Sequence, residues 1–406
     1  MSDARKQISV HRSGETRTGQ NTKINRRSFL KSAALAGGAA IASQPFCRAA
    51  SEEAAAKLSA IELQGNRFLT FNTVVRVNQI EVSRDRNAGE DEGKIHTLEH
   101  VRLLRESFGR GFPEGRMTWA FSWLALQDPR PNYRDIRKQV REYHEQYGDG
   151  DGSLSYPYYP SRQHFCKPAQ GQADFIDCVN LDGWTMDFLA ARRQGFQGGF
   201  NSRMGVGPIE TVFAHGPEKG LREMVETTAI HFDAGFRANG FGWVTNCWEV
   251  SLLPKSIESL TQWLQEIRRR WPTTLCITQG EFGLAWRRHY PTNQRIDYRF
   301  VERGTGIGGS DADHEIRWFM NRDFRLALLR NWNTNSQEQV IDFTRYDLPA
   351  QEPSDASPDK PMRNWSLMNR LNQKGTRPQD KPVRLGDLAA EDQGVIRRRY
   401  PELFQG

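Results

Sequence analysis

Apolar strand-like segments alternate with amphipathic helical segments along two long stretches of this chain, and this alternation limits the fold most strongly. In the first stretch, residues 67–82 and 116–126 predict buried strands, and residues 94–108 and 132–148 predict helices. Such an order implies parallel strands joined by right-handed crossovers. We therefore predict an α/β fold with a (β/α) barrel-like sheet that is incomplete or distorted.

The second stretch repeats the same order after a long irregular region, residues 149–215, which contains one predicted short helix at 183–193. Its predicted elements are a helix at 217–240, a strand ending at Glu249, a helix at 256–271 and a strand at 273–282. Beyond residue 295, strand-like segments follow one another without helices, which indicates antiparallel pairing. We therefore predict a barrel-like catalytic region at 51–294, and a β-rich region with a wrapping tail at 295–406.

The N-terminal 50 residues look like an address for export and not like part of the fold. The segment NRRSFLKSAALAGGAAIAS has paired arginines, Arg26 and Arg27, followed by a short apolar run rich in Ala and Gly. It resembles a twin-arginine signal, and the apolar run is too short for a membrane span. We expect the twin-arginine machinery as a partner, a periplasmic or secreted location, and no stable membrane anchor.

The charge of the chain is concentrated in that segment. The full chain has 56 basic and 49 acidic residues, and residues 1–50 hold nine of the basic and two of the acidic ones. The remainder therefore has 47 residues of each sign and is formally neutral. A nucleic-acid-binding protein usually has a net basic surface, so we do not expect nucleic acid as a partner.

Two glutamates follow predicted strands at corresponding points of the repeated order. Glu249 ends the segment NGFGWVTNCWEV, and Glu281 ends TTLCITQGEF. In parallel α/β folds, active sites lie at the carboxyl ends of the strands, and hydrolysis of a glycosidic bond needs two carboxylates on either side of it. We predict that Glu249 and Glu281 are catalytic, with Asp182 as a third carboxylate. The alternative for each glutamate is a structural ion pair with an arginine.

Aromatic and polar residues around these carboxylates are candidates for binding a sugar. Tryptophan rings offer flat apolar faces, and a loop arginine can hold an anionic group. The predicted substrate-binding residues are Trp184, Arg203, Trp243, Asn246, Trp248 and Trp286.

His96 and His100 lie four residues apart in the segment HTLEH. On one helix face they could hold a metal together with Asp85 or Glu90. The alternative is a solvent-facing pair without a metal, and we expect neither a metal nor another cofactor. Acids that a metal-dependent deacetylase would need at the end of the first strand are replaced by Asn72 and Thr73.

Several blocks resemble an exported bacterial family known as a domain of unknown function. Among them are TFNTVVRVNQIEVSRDRN, MTWAFSWLAL, DFIDCVNLDGWTMDFLAARR and IRWFMNRDFRLALLRNW. The resemblance spans nearly the whole mature chain but implies no catalytic residues. At the level of the fold, the chain is also similar to polysaccharide-deacetylase and related glycosidase barrels, which are incompletely closed. Family members carry a longer stretch where this chain runs EYHEQYGDGDGSLSYP, so the resemblance implies a gapped barrel.

The sequence therefore leaves three functions open, all of which take a carbohydrate. The first is an exported glycoside hydrolase that uses Glu249 and Glu281. The second is a metal-dependent deacetylase that uses His96 and His100. The third is a glycan-binding or degenerate protein in which the glutamates are structural.

Overall fold

The alternation of strands and helices is present in the computed structural model, which describes residues 61–77, 96–121, 123–150, 208–247, 257–306, 312–334, 337–345, 347, 371–372 and 382–405. The predicted export segment, the predicted helix at 183–193 and most of the predicted wrapping tail lie outside these residues. Both sheets belong to one compact unit, Leu58–Gly406.

The first sheet is parallel and is built around its first strand. Its strands are β1 (Arg67–Val75), β2 (Met117–Phe121), β3 (Gly242–Cys247) and β4 (Thr274–Cys276). β1 pairs with β3 along one edge. On its other edge, the first residues of β1 pair with β4 and the last five pair with β2.

The helices of the described part beside these strands are α1 (Leu98–Gly111), α2 (Trp123–Gln127), α3 (Pro131–Tyr147), α4 (Pro208–Ala229), α5 (Phe236–Asn239), α6 (Ile257–Arg270) and α7 (Gln279–His289). The helices predicted at 94–108, 132–148, 217–240 and 256–271 are present with shifted ends, whereas α2 and α7 were not predicted. A π-helical turn, Ile230–Gly235, joins α4 to α5. Gly148 ends α3 in the left-handed conformation, with φ of 72°, as its sequence position predicts.

Two predicted strands are shorter than expected because helices take over their ends. The predicted strand at 116–126 ends at Phe121, and α2 follows it. The predicted strand at 273–282 ends at Cys276, since Thr278 caps α7 two residues later. Short apolar runs do not distinguish a strand from a buried helix by periodicity alone.

The two faces of the parallel sheet are covered by different layers. Leu69 and Phe71 of β1 and Val244 of β3 pack against α1, α3 and α6 in one hydrophobic core. Phe68, on the opposite face of β1, packs with Phe282 of α7 in a second core. We call this second side, which carries Phe68, Thr70 and Asn72, the inner face.

The second sheet is antiparallel, as predicted for the C-terminal third. Its strands are β5 (Asp297–Arg303), β6 (His314–Asn321), β7 (Phe324–Asn331) and β8 (Gln339–Arg345), with β9 (Leu371–Asn372) and β10 (Val383–Arg384) beside β8. One side shares the second core with the parallel sheet, and the other packs against α8 (Ala390–Arg399).

A complete barrel is not present among the described residues. β3 and β4 lie on opposite edges of β1 and do not pair with each other. Helix α7 packs on the inner face, where the rings of Phe68 and Phe282 lie 5.3 Å apart. Gly150 forms a single parallel bridge with Thr118 of β2. The arrangement is an α/β sheet with a helix on the side that a closed barrel would enclose.

Candidate functional site

Polar side chains gather on the inner face around the middle of β1. Thr70, Asn72, Thr118 and Thr245 lie on this face, and Gln279 reaches it from the start of α7. We call these five residues the inner-face polar cluster. Asn72 links two strands, because its amide Nδ2 lies 3.0 Å from Oγ1 of Thr245.

The cluster is joined to its surroundings by further hydrogen bonds. Trp243 Nε1 donates to Thr70 Oγ1 at 3.0 Å, and the backbone N of Gln279 donates to Thr118 Oγ1 at 2.8 Å. Hydroxyl and amide groups can donate and accept hydrogen bonds to the hydroxyls of a sugar. None of the five side chains is an acid or a base, so the cluster does not transfer protons. The three threonines of the cluster are buried, and Asn72 and Gln279 are the members that solvent reaches.

Glu281 is the nearest described carboxylate, and it is held by the start of α7. The helix has a capping box, in which the backbone N of Glu281 donates to Thr278 Oγ1 and the carboxylate accepts from the backbone N of Thr278 at 2.8 Å. The other oxygen, Oε1, lies 2.7 Å from Nη1 of Arg116. Both oxygens of this buried carboxylate therefore accept from protein donors.

Two catalytic glutamates at the ends of neighbouring strands would lie side by side, but the order of the strands does not provide this for Glu249 and Glu281. β1 lies between β3 and β4, so the strands that precede the two glutamates are not neighbours. Glu281 lies in a helix, not at a strand end, and it contacts Arg116, which directly precedes β2. β4 pairs with the first residues of β1 and β2 with the last five, so the two short strands follow each other along the same edge of β1. The helix that follows β4 therefore begins near the start of β2.

Trp243 and Trp286, two of the predicted sugar-binding residues, pack within the second core. The ring of Trp243 stacks on Phe282 with centroids 4.3 Å apart. Trp286 contacts Phe241 and Tyr290, with centroids 5.8 Å and 4.8 Å away. Both rings are partly buried, and these contacts give no support to a role as open sugar platforms.

Asn246 lies on the side of the sheet opposite to the inner face. It pairs in register with Phe71, and it is 3% exposed on the side covered by helices. Thr245 takes the inner-face position instead. Asn72 and Thr245 are absent from the predicted site, although strict alternation from Trp243 along the strand would have placed Thr245 on the same face.

Other predicted site residues lie outside the described residues. These are Asp182, Trp184, Arg203, Trp248 and Glu249. Their roles remain predictions.

His96 and His100 do not form the predicted pair on a helix. Helix α1 begins at Leu98 after the cap Thr97, so His96 precedes it. His96 is 1% exposed, and its Nδ1 lies 3.0 Å from the backbone N and 2.9 Å from the backbone O of Arg76. Burial, with a contribution from the charge of Arg76, lowers the pKa of His96 to about 4.

The solvent-facing alternative is also wrong for His96, since its ring is buried. No group of three His, Cys, Asp or Glu side chains suited to a metal occurs among the described residues. Asp85 and Glu90, the acids that were to complete the metal site, lie outside them. Nor does any helix in the described part have the length and apolarity needed to cross a membrane.

Asp149 forms a buried ion pair close to the point where the resemblance implies a missing segment. Its Oδ2 lies 2.9 Å from Nε of Arg105 and 3.0 Å from Nε1 of Trp119. Oδ1 accepts from the backbone N of Met117. Burial raises the pKa of Asp149, while Arg105 and these hydrogen bonds act in the opposite direction. The pair fixes residues 148–150 against β2.

Comparison with solved structures identifies a close relative. A protein from Parabacteroides distasonis, provisionally described as a glycoside hydrolase/deacetylase, is 44% identical to this chain, with a TM-score of 0.67. The alignment covers 85% of this chain and 100% of the relative. A search of curated proteins found no match.

Two families account for most of the described chain. Residues 61–150 and 149–320 match a domain of unknown function with a solved structure, DUF3863, and residues 325–403 match a second such domain, DUF3864. The two DUF3863 matches meet at residues 149–150, where the resemblance places the gap. The chain therefore belongs to the DUF3863 family of domains of unknown function, with a DUF3864 domain following it.

Proposed function

We propose that this chain is an exported carbohydrate-active hydrolase of the glycoside hydrolase or deacetylase class. The observation that carries the proposal is its 44% identity, over 85% of its length, to a protein provisionally described in those terms. The inner-face polar cluster supports it, because uncharged hydrogen-bonding side chains on one face of a parallel sheet suit a polyhydroxylated ligand.

Export rests on the paired arginines Arg26 and Arg27 and the apolar run behind them. We expect the protein in the periplasmic or secreted fraction of cells that express it. A variant with both arginines changed to lysine should remain in the cytoplasm, because the export receptor reads the arginine pair. Equal amounts of the two proteins in the exported fraction would refute this route.

Within the glycoside hydrolase class, the proposed roles of the two glutamates differ. Glu249 is the proposed proton donor, since it follows Trp248 in an apolar segment and an apolar setting raises the pKa of a carboxyl group. Glu281, which accepts from Arg116 and Thr278, is the proposed base or nucleophile. Glu281 would have to leave its capping contacts to reach a sugar, and Asp182 is the third carboxylate that could take its place.

A second candidate function is glycan binding without hydrolysis. It is favoured by the contacts of Glu281, whose two oxygens are both engaged, and by the packing of α7 on the inner face. The longer stretch that the resemblance implies for family members near residues 148–152 points the same way, since a chain that lacks part of its family's domain can lose catalytic residues.

A substrate screen separates these functions. The mature protein is incubated with chromogenic glycosides and with acetylated oligosaccharides, with and without a chelator, beside Glu249→Gln and Glu281→Gln. Loss of glycoside turnover in either variant, while that variant is still folded at the assay temperature, supports the glycosidase. Chelator-sensitive release of acetate supports the deacetylase. Absence of any turnover, with retained binding of the same sugars, supports the second candidate function.

A matched variant tests the inner-face polar cluster. Asn72→Ala removes the amide that bridges to Thr245, and we expect weaker binding of any sugar that the screen identifies. Thr305→Ala, at a hydroxyl that bonds Glu223, serves as a control of the same kind outside the cluster. Equal sugar affinity in Asn72→Ala and in the unchanged protein would show that the cluster is not the binding site.

A further inference from the structure

An exposed tryptophan lies at the end of the antiparallel sheet, in a cleft that the parallel sheet does not contribute to. Trp332 follows β7 and is 47% exposed, whereas most large apolar side chains of the described part are buried. The cleft has a volume of about 690 Å³ and is lined by Arg303, Ala312, Asp313, His314, Trp332 and Asn333. This size falls in the range of about 300–1,000 Å³ typical of ligand sites.

The tryptophan ring is held in place before any ligand arrives. The guanidinium of Arg330 lies 3.8 Å from the ring centroid, which is a cation–π contact on one side of the indole. The backbone N of Trp332 donates to the backbone O of Asp313 at 2.9 Å. A ring fixed in this way loses little conformational entropy when a ligand stacks on it.

Polar side chains beside the ring form a connected and fixed set. Asp313 accepts from Nδ2 of Asn333 at 2.9 Å through Oδ2, and its Oδ1 lies 3.1 Å from Nδ1 of His314. The pKa of Asp313 is lowered: desolvation acts to raise it, but hydrogen bonds from His314, the backbone and Asn333 together outweigh that effect. Asn331 Oδ1 accepts from the backbone N of Asn333 at 2.9 Å and so fixes the turn.

We propose that this cleft is a sugar-binding site, in which one pyranose unit of a neutral polysaccharide stacks on Trp332 while its hydroxyls bond Asp313 and Asn333. An aromatic face beside a few fixed hydrogen-bonding groups suits a ring that has apolar C–H faces and polar edges. The cleft does not select a charged ligand, since Arg303 is paired with Glu315 at 2.8 Å and lies near the carboxylate of Asp313.

This inference rests on the proposed function only for the class of ligand, because the cleft lies on the antiparallel sheet and contains none of the predicted catalytic residues. Such a site would let the protein bind a long polysaccharide through residues that are distant in sequence from Glu249 and Glu281. It therefore predicts binding to polymers whether or not the protein hydrolyses them.

Affinity electrophoresis tests the site with the full mature chain. Native gels contain hydroxyethylcellulose, xylan, galactomannan or starch, and migration of the unchanged protein is compared with Trp332→Ala, Trp332→Phe and Leu284→Ala. Leu284 is 55% exposed on α7, so it controls for loss of an exposed apolar side chain. We expect at least one polymer to retard the unchanged protein.

Trp332→Ala should weaken binding to that polymer about tenfold, which corresponds to about 1.4 kcal/mol, since it removes the apolar surface on which the sugar ring stacks. Trp332→Phe keeps a flat ring and should stay within about threefold of the unchanged protein, and Leu284→Ala should bind as the unchanged protein does. Equal retardation of Trp332→Ala and the unchanged protein, or no retardation in all four gels, would overturn the proposal.

Turnover of small chromogenic glycosides by the unchanged protein is measured on the same preparations. Retardation that depends on Trp332, without any turnover of these glycosides, would contradict the glycoside hydrolase and support the binding site. Turnover of the glycosides, together with retardation that Trp332→Ala does not change, would support the glycoside hydrolase and refute the binding site.

Discussion

Arg116 Nη1 lies 2.7 Å from Oε1 of Glu281, and this contact joins the residue before β2 to the first turn of α7. The same carboxylate completes the capping box with Thr278. Glu281 thus stabilises the start of a helix that packs on the inner face of the parallel sheet. Its position gives a structural reason for a glutamate here, whether or not it also takes part in chemistry.

Removal of the Glu281 carboxylate should destabilise the protein. We expect Glu281→Ala to lower the free energy of unfolding by about 1–2 kcal/mol, since it removes half of a capping box and the contact with Arg116. Glu281→Gln keeps an oxygen that can accept from Thr278 and should cost less. Denaturant unfolding measures both.

The control is Glu258→Ala, at an exposed residue in the first turn of α6, whose unfolding free energy should stay within about 0.5 kcal/mol of that of the unchanged protein. Unaltered stability in Glu281→Ala would contradict the structural role.

The ion pair between Arg105 and Asp149 should contribute strongly, because both side chains are almost completely buried. Asp149→Asn leaves the guanidinium of Arg105 without its counter-charge, and we expect a loss of about 3–5 kcal/mol in unfolding free energy. Glu114→Gln is the matched control at an exposed pair with Arg268, where the expected change is below about 1 kcal/mol. Similar losses of unfolding free energy in the two variants would show that burial does not determine how much an ion pair contributes to stability.

The buried ring of His96 should make stability depend on pH below neutrality. The unfolded chain binds a proton on this ring below about pH 6.5, whereas the folded chain does so only near pH 4. The unfolded state binds more protons in this window, so the free energy of unfolding falls as the pH falls from 6.5 towards 4. The lowered pKa corresponds to a loss of about 3 kcal/mol.

The variant His96→Gln cannot titrate, and it should lose most of the pH dependence between pH 6.5 and 4.5 in urea unfolding. His289→Gln, at an exposed histidine in the last turn of α7, should keep it. An unchanged slope in His96→Gln would mean that other groups control this window.

Two glycines should respond in opposite directions to replacement by alanine. A Cβ at Gly111 would lie 2.5 Å from Cβ of Leu264 and 2.9 Å from the backbone O of Thr261, so α1 and α6 would have to separate. We expect Gly111→Ala to cost about 1–3 kcal/mol. Gly283 in α7 has open space around that position, and Gly283→Ala should stabilise the protein by about 0.5–1 kcal/mol. Thermal unfolding measures both, and a melting temperature that Gly111→Ala leaves unchanged would show that the helices can move apart.

Much of the local structure could be predicted from the sequence, because local signals carry it. Helix α3 follows an amphipathic segment and ends at Gly148, whose position needs a left-handed conformation. The antiparallel strands from Asp297 onward follow from strand-like segments with no helix between them. The prediction of a strand up to Glu281 was wrong, because Thr278 caps a helix that begins within the predicted strand.

The sequence by itself determined the order of strands and helices, the parallel and antiparallel regions and the family, since each depends on residues close together in the chain. Only the tertiary structure decided that β1 separates β3 from β4, that Glu281 contacts Arg116, that Asn246 faces the helices and that Trp332 lines a cleft. Strand pairing and side-chain burial depend on contacts between residues distant in sequence, such as Arg67 with both Gly242 and Thr274. The free energy of those contacts comes from packing and desolvation, which local periodicity does not specify.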